Sequence, residues 1–440
     1  MSGLAVLLAE NGFLVSGSDR AAPEPAMAQM FEKYNINVLI GHSAENIDKN
    51  TQLAVFTLAV PPDNPELLRA RELNIQTVSR AQLLGRVTEN YKTSAGVAGC
   101  HGKTTTTAML AQITLPQNPT VLLGGEHAML DGGNIHIGSR DLIIFEACEY
   151  RDSFLKCKPD YAVILNIDAD HLDYFTDMAH IRRSFKTYAE SARRGVIINA
   201  QITNYADIIK DVKTPVATFC QNGAACDFSA QNITTDDCGK PSFDIYENKI
   251  LSARVNLNVI GRVNAQNALS AFAAAAVIKK DAGRREAAAA LSAFTPVNRR
   301  LQYKGEHNGA AIFDDYAHHP TEIKNALEAL AQIGKNRVFV LFQPHTYSRT
   351  KALFGEFAAS FENAYHVGLT EIYAAREPDL GQISSEDLAQ AIRERGKAAA
   401  SFASFADAAA YYKKCLQPGD LFLTMGAGDV FNVCDMLTAL

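Results

Sequence analysis

The sequence predicts an α/β fold in three domains, and three observations carry that expectation. Short apolar runs recur along the chain, each followed by a polar or glycine-bearing loop and then a helix-periodic stretch. One junction, Gly99-Cys100-His101-Gly102-Lys103-Thr104, is a glycine-rich turn from strand into helix. The pattern restarts at Ser94 and breaks at Phe294-Thr295-Pro296-Val297-Asn298, so the expected domains are 1–92, 93–296 and 297–440.

Composition narrows the class. A chain of 440 residues, 47% hydrophobic and 20% charged, reads as soluble, globular and too long for one core. A net charge of -6 argues against a general binder of nucleic acid or acidic membrane. No apolar run is long enough to insert into a bilayer. The eight cysteines have no C-x-x-C pair or zinc spacing, so free thiols and a cytoplasmic location are expected.

In chain order, Ser2-Gly3-Leu4-Ala5-Val6-Leu7-Leu8 opens a helix that Asn11-Gly12 ends. Phe13 to Asp19 reads as a strand finishing on a carboxylate, where dinucleotide-type folds hold ribose hydroxyls. A bare strand-end Asp is equally a solvated turn residue. Strands at Val38-Leu39-Ile40 (before Gly41-His42), Leu53 to Thr57 and Ile75 to Val78 complete a small parallel-sheet, Rossmann-like domain.

The second domain opens on the glycine-rich turn. Its N–H groups and the helix N-terminus suit an anion, Lys103 the outer phosphates, and Thr104 a Mg²⁺ ion. Position 97, where the general G-x-x-x-x-G-K-[ST] pattern has glycine, is Val. Leu142 to Phe145 delivers Glu146-Ala147-Cys148-Glu149-Tyr150, and Tyr161 to Leu165 delivers Asn166-Ile167-Asp168-Ala169-Asp170-His171. Strand ends on one edge would bring Glu146, Asp170 and His171 to a metal-bound triphosphate; solvated loop carboxylates are the plainer alternative. Asn264 and Asn267 share a helical face and suit a purine edge or helix capping.

In the third domain Ala310 to Phe313 runs into Asp314-Asp315-Tyr316-Ala317-His318-His319-Pro320-Thr321-Glu322. Val338 to Phe342 delivers Gln343-Pro344-His345-Thr346-Tyr347-Ser348-Arg349, and Leu421 to Thr424 delivers Met425-Gly426-Ala427-Gly428-Asp429. Three loaded strand ends are where an open α/β sheet places its ligand.

The loops that begin at Gly99, Glu146, Asn166, Asp315 and Met425 together resemble the Mur ligases, and the resemblance runs along essentially the whole chain. It implies a Rossmann-like UDP-sugar domain, a central P-loop ATPase-type domain and a Rossmann-like amino-acid domain. The implied reaction uses ATP to phosphorylate the lactyl carboxylate of UDP-N-acetylmuramate, whose acyl phosphate the amine of L-alanine attacks. The implied catalytic residues are Lys103, His171 and Arg300. ATP would meet Gly99, His101, Gly102, Lys103, Thr104, Thr105, Asn264, Asn267, Arg300 (γ-phosphate) and Asp315 (ribose). Thr104, Glu146 and His171 would hold Mg²⁺, Asp19 and His42 the UDP part, and Tyr316, His345 and Arg349 the alanine.

Three departures from the family pattern accompany this. The strand and Gly-rich loop that the family carries before the first helix are absent, so pyrophosphate contacts there are expected to be reduced. Val263 stands where a stacking His is expected, and Thr346 where many relatives carry a second Arg. Alternatives are a relative that joins a preformed tripeptide to the same sugar nucleotide, and a nucleotide-binding homologue without turnover. The expected partners are small molecules, with the chain a monomer or homodimer.

Overall fold

Ser94–Ala98 is buried at every position, and the first half of the chain is organised around it. In a computed structural model the chain is described over residues 1–439 apart from 24, 59, 132, 172–173, 224, 280–282, 334–336 and 376. It forms two compact units, one of Met1–Ile167, Ile181–Phe219 and Ser270–Ala282, the other of Asp168–His180, Cys220–Leu269 and Gly283–Leu440.

In the first unit, Ser94–Ala98 lies between Tyr161–Ile164 and Ser139–Glu146, parallel to both. Gly195–Asn199 and Val216–Gln221 extend the sheet on one side, Pro119–Leu122 on the other, all parallel. A short antiparallel strand, Ile135–His136, ends it. Its central strands are continuous apolar runs, which suits a parallel sheet covered on both faces.

Helix Ser2–Glu10 forms as expected and buries Gly3, Leu4, Val6 and Leu7. A side chain at Gly3 would meet Leu122 at 3.2 Å and Ile135 at 3.5 Å, so the helix lies on the sheet's end strands. The other N-terminal strands form two separate parallel pairs rather than one sheet: Ser16–Asp19 with Asn37–Ile40, and Leu53–Phe56 with Gln76–Ser79. Ser16-Gly17-Ser18-Asp19 has no apolar side chain to bury, so backbone pairing and the Ser18 hydroxyl's bond to Glu66 hold it. Phe13 and Leu14, expected in that strand, precede it and are exposed.

The second unit has a six-stranded sheet in the order Gln302–His307, Ala310–Asp315, Leu421–Met425, Val338–Phe342, His366–Leu369, Ala398–Ser401. All pairs are parallel except the first. Side chains alternate across it: Val338, Val340 and Phe342 join one core, Phe339 and Leu341 the other. The loops after Asp315, Met425 and Phe342 therefore leave three adjacent strands. An antiparallel meander, Phe228–Thr235, Pro241–Glu247 and Ile250–Asn256, was not expected from the sequence. Nor was the disulfide joining Cys220 to Cys226; the other six cysteines are free. Among the described residues no helix is long and apolar enough to cross a membrane.

Candidate active site

The phosphate-type loop of the first unit is held open by its two glycines. Gly99 has φ +148°, with Leu165 only 2.9 Å from where a Cβ would sit, and Gly102 is left-handed at φ +82°. Asn166, from the neighbouring strand end, clamps the loop twice: its Oδ1 accepts from His101 N (2.9 Å) and its Nδ2 donates to His101 O (2.8 Å). Helix Lys103–Thr114 follows, with no side-chain cap and no acid in its first turn. Its first N–H groups are therefore oriented toward an anion. Thr105 lies in that first turn.

Lys103 bends back over the loop. Its Nζ donates to Gly99 O (2.6 Å), Cys100 O (3.2 Å) and both oxygens of Glu149 (3.0 and 2.9 Å). Burial alone would lower this ammonium's pKa, but Glu149 outweighs it and keeps the lysine charged. Thr104 Oγ1 donates to Glu146 Oε2 at 3.1 Å, while Glu146 Oε1 accepts from Gly124 N. A Cβ at Gly124 would sit 2.7–2.9 Å from that carboxylate, so the glycine makes its seat. Lys103, Glu146 and Gly124 line a cleft of about 340 Å³ with Arg80, Asn134 and Cys148. Burial lifts the Cys148 thiol to about 11, so it stays protonated.

Asp19 and His42 are brought together at the end of the first parallel pair, where Gly41 N donates to Asp19 O (2.8 Å). Asp19 is exposed; His42 lies 3.2 Å from Ser18 Oγ and 3.5 Å from Glu66. Glu66, which the sequence reading passed over, accepts from Ser18 Oγ (2.7 Å) and Asn46 Nδ2 (2.6 Å).

In the second unit two adjacent arginines have different fates. Arg299 is stapled: it donates to Asp314 (2.9 Å), Gly428 O (3.1 Å) and Gly426 O (2.7 Å), and lies over the Phe431 ring. Arg300 has neither an ion pair nor a side-chain hydrogen bond among the described residues; it lies over the Tyr316 ring at 5.4 Å and acts on the Asp315 carboxyl through charge alone. Arg299 and Leu301 both have φ in the left-handed region (58° and 44°), and Asp315 Oδ2 holds this turn through Leu301 N (2.8 Å). Asp315 Oδ1 accepts from Ala317 N (2.7 Å); burial pushes its carboxyl up to about 6 despite Arg300. Asn264 and Asn267 do share a face of helix Val263–Ile278, Asn267 Nδ2 donating to Asn264 Oδ1 (2.9 Å). Asn264 Nδ2 in turn donates to Ile260 O (2.8 Å), which is the capping alternative. Val263 beside them is exposed.

The expected amino-acid residues also cluster in this unit. Arg349 donates to Asp170 (3.1 Å), with His171 at 3.4 Å and His345 at 3.3 Å. Burial would raise the Asp170 carboxyl, but His171 and Arg349 hold it well below the ordinary range. Tyr316 and His345 each stack edge-on against His318, and His345 lies flat on Tyr373. His318 donates from Nδ1 to Tyr316 O (3.0 Å), and burial lowers it to about 4, so it is neutral at pH 7. Thr346 caps helix Tyr347–Ala352 through Arg349 N, which fixes where Arg349 starts.

The chain is 42% identical over 440 residues to the UDP-N-acetylmuramate–L-alanine ligase of Clostridium novyi, covering 99% of this chain and 94% of that relative. This chain belongs to the Mur ligase family. Three family models match it in order: "Mur ligase family, catalytic domain" over 1–92, "Mur ligase middle domain" over 97–275 and "Mur ligase, glutamate ligase domain" over 299–428. The fold is similar to the crystal structure of the UDP-N-acetylmuramate-alanine ligase of Thermotoga maritima, with TM-score 0.82, 26% identity, and 99% and 95% of the two chains covered. It is also similar to the Neisseria meningitidis ligase of UDP-N-acetylmuramate and L-alanyl-γ-D-glutamyl-meso-diaminopimelate, with TM-score 0.60, 29% identity, and 68% and 96% covered.

Within this Mur ligase the sequence reading left four polar residues unassigned: Glu149, Asn166, His318 and Glu66. The first three stand inside the loops that carried the resemblance, as polar groups beside those chosen. Glu66 had only the Asn64-Pro65 helix start as a signal. Glu146 belongs to the first unit and His171 to the second.

Proposed function

We propose that this Mur ligase joins L-alanine to UDP-N-acetylmuramate at the expense of ATP. The observation that carries the reading is the 42% identity along 99% of the chain to a ligase of that name. Likeness to the tripeptide-adding relative, TM-score 0.60 over 68% of the chain, is weaker than the 0.82 over 99% to the solved alanine ligase and favours that second acceptor less. On this reading residues 1–92 take the sugar nucleotide, 93–296 ATP and 297–440 the amino acid, in the cytoplasm, where both nucleotides are made.

A carboxylate oxygen attacks the γ-phosphorus of ATP and ADP leaves. The amine nitrogen then attacks the acyl carbon, inorganic phosphate leaves, and the amine gives up a proton. The first step brings anions together, so positive charge must stand where they meet. Lys103 would supply it to the β- and γ-phosphates after exchanging part of its bonding to Gly99, Cys100 and Glu149. Arg300, its side chain in no ion pair or hydrogen bond among the described residues, would meet the γ-phosphate, and Asn264 and Asn267 the adenine. Thr104 Oγ1 and Glu146 Oε2, hard oxygen donors 3.1 Å apart, fit Mg²⁺, with His171 a further ligand. The ion would supply charge neutralisation on the phosphates. Tyr316, His345 and Arg349 would receive the alanine, Arg349 turning N–H groups not used by Asp170 to its carboxylate.

The test is phosphate release from ATP with UDP-N-acetylmuramate and L-alanine, alone and together. Release that needs both supports the reading; equal ADP formation without either acceptor overturns it. A tripeptide that outruns L-alanine transfers the assignment to the second reading.

A further inference from the structure

The cleft beside Lys103 contains a cation that neither the fold nor the residues assigned above employ. Arg80 is the first residue of helix Arg80–Thr88, placed there by a capping box in which Ser79 and Gln82 bond each other's backbone N–H (3.3 and 2.8 Å). Its side chain lines the cleft with Lys103, Glu146 and the apolar Leu4 and Leu122. Among the described residues it makes no ion pair and no side-chain hydrogen bond. The acid that lines the same cleft, Glu146, is bonded to Gly124 N and Thr104.

A half-buried guanidinium against apolar walls cannot shed its proton, so an anion is the partner it lacks. A second unmet group lies in the same cleft. Asn134 donates from Nδ2 to Ser2 Oγ (3.1 Å), yet its buried Oδ1 has no partner among the described residues. An open donor fork and an open acceptor together describe a ligand with an oxyanion and a hydroxyl or amide N–H. ATP's outer phosphates already have the loop and Lys103.

We infer that Arg80 binds an oxyanion of the sugar nucleotide, its carboxylate or its diphosphate, with Asn134 accepting from a neighbouring hydroxyl or amide. This rests on the acceptor proposed above and adds a specificity residue to it. Arg80 positions the acceptor beside Lys103 without touching ATP.

The test is calorimetric titration of the full chain with UDP-N-acetylmuramate and with UDP, alongside steady-state KM values for sugar nucleotide and ATP, in wild type, R80A and R80K. R80A is expected to bind UDP-N-acetylmuramate at least about tenfold more weakly, the scale for a hydrogen bond to a charged group, with KM for ATP changed less than about twofold. R80K, a point charge without the fork, is expected to recover part of the loss. A parallel loss for UDP identifies the diphosphate; unchanged UDP binding identifies the carboxylate. R80A that binds the sugar nucleotide like wild type, or a KM for ATP that rises in step, overturns the inference alone. A wild-type chain that binds no UDP-N-acetylmuramate overturns the proposed function with it.

Discussion

Lys103 and Glu149 form a buried ion pair at 2.9 Å, the lysine 15% exposed at its side chain and the glutamate 1%. Each charge is tolerable because the other is there. Lys103→Met should cost about 3–5 kcal/mol of stability, the usual consequence of stranding a buried charge. The double variant Lys103→Met with Glu149→Gln should regain most of that stability and none of the ligase activity. Denaturant unfolding and phosphate release measure the two separately. A double variant no more stable than Lys103→Met would show that the pair contributes nothing to the fold.

Arg299 and Arg300 should separate stability from turnover. Arg299→Ala strands Asp314, 1% exposed, and releases two loop carbonyls, so a loss of about 3–5 kcal/mol is expected. Arg300→Ala removes no ion pair among the described residues and should leave the melting temperature nearly unchanged. It should still lower kcat at least about tenfold if it meets the transferring phosphate. Thermal scans beside initial rates decide it; equal destabilisation by both variants would argue against this division.

Much of this was legible in the sequence, for stated reasons. The strand before Gly99 and the helix after Gly102 are apolar runs on either side of glycines that the backbone needs, so periodicity found them. The meander over Phe228–Asn256 was missed because its strands are half polar and their partners lie a hairpin away, giving no continuous apolar run. Adjacent arginines look alike as letters; Asp314 and the carbonyls of Gly426 and Gly428, distant in sequence, tell them apart. Glu149 was in view beside Glu146, but only the fold says which acid faces Lys103 and which faces Thr104.

Gly124 offers a test of the metal assignment that leaves every donor in place. A methyl group there would press on the Glu146 carboxylate at 2.7–2.9 Å and move it from Thr104. Gly124→Ala should therefore raise the Mg²⁺ concentration for half-maximal rate severalfold, with KM for L-alanine unaffected. An unchanged Mg²⁺ dependence would remove Glu146 from the metal site.

His318 sets a pH dependence whose sign can be worked out. Its ordinary value is 6.5, and burial brings it to about 4, with Arg349 adding to the effect and Glu322 and Asp170 opposing it. Between those values the unfolded chain binds a proton that the folded chain refuses, so stability falls as pH drops through the window. Asp315 acts in the opposite sense: its carboxyl, raised from 3.8 to about 6, takes a proton in the folded chain first, so acidification there favours folding. The two overlap, and the wild-type curve alone will not separate them. Comparison with His318→Asn will, since the amide keeps a donor for Tyr316 O without titrating. The wild type's lead in melting temperature over His318→Asn should shrink from about pH 7 to about pH 4.5. A lead that stays constant over that range would mean that His318 accepts its proton as readily folded as unfolded.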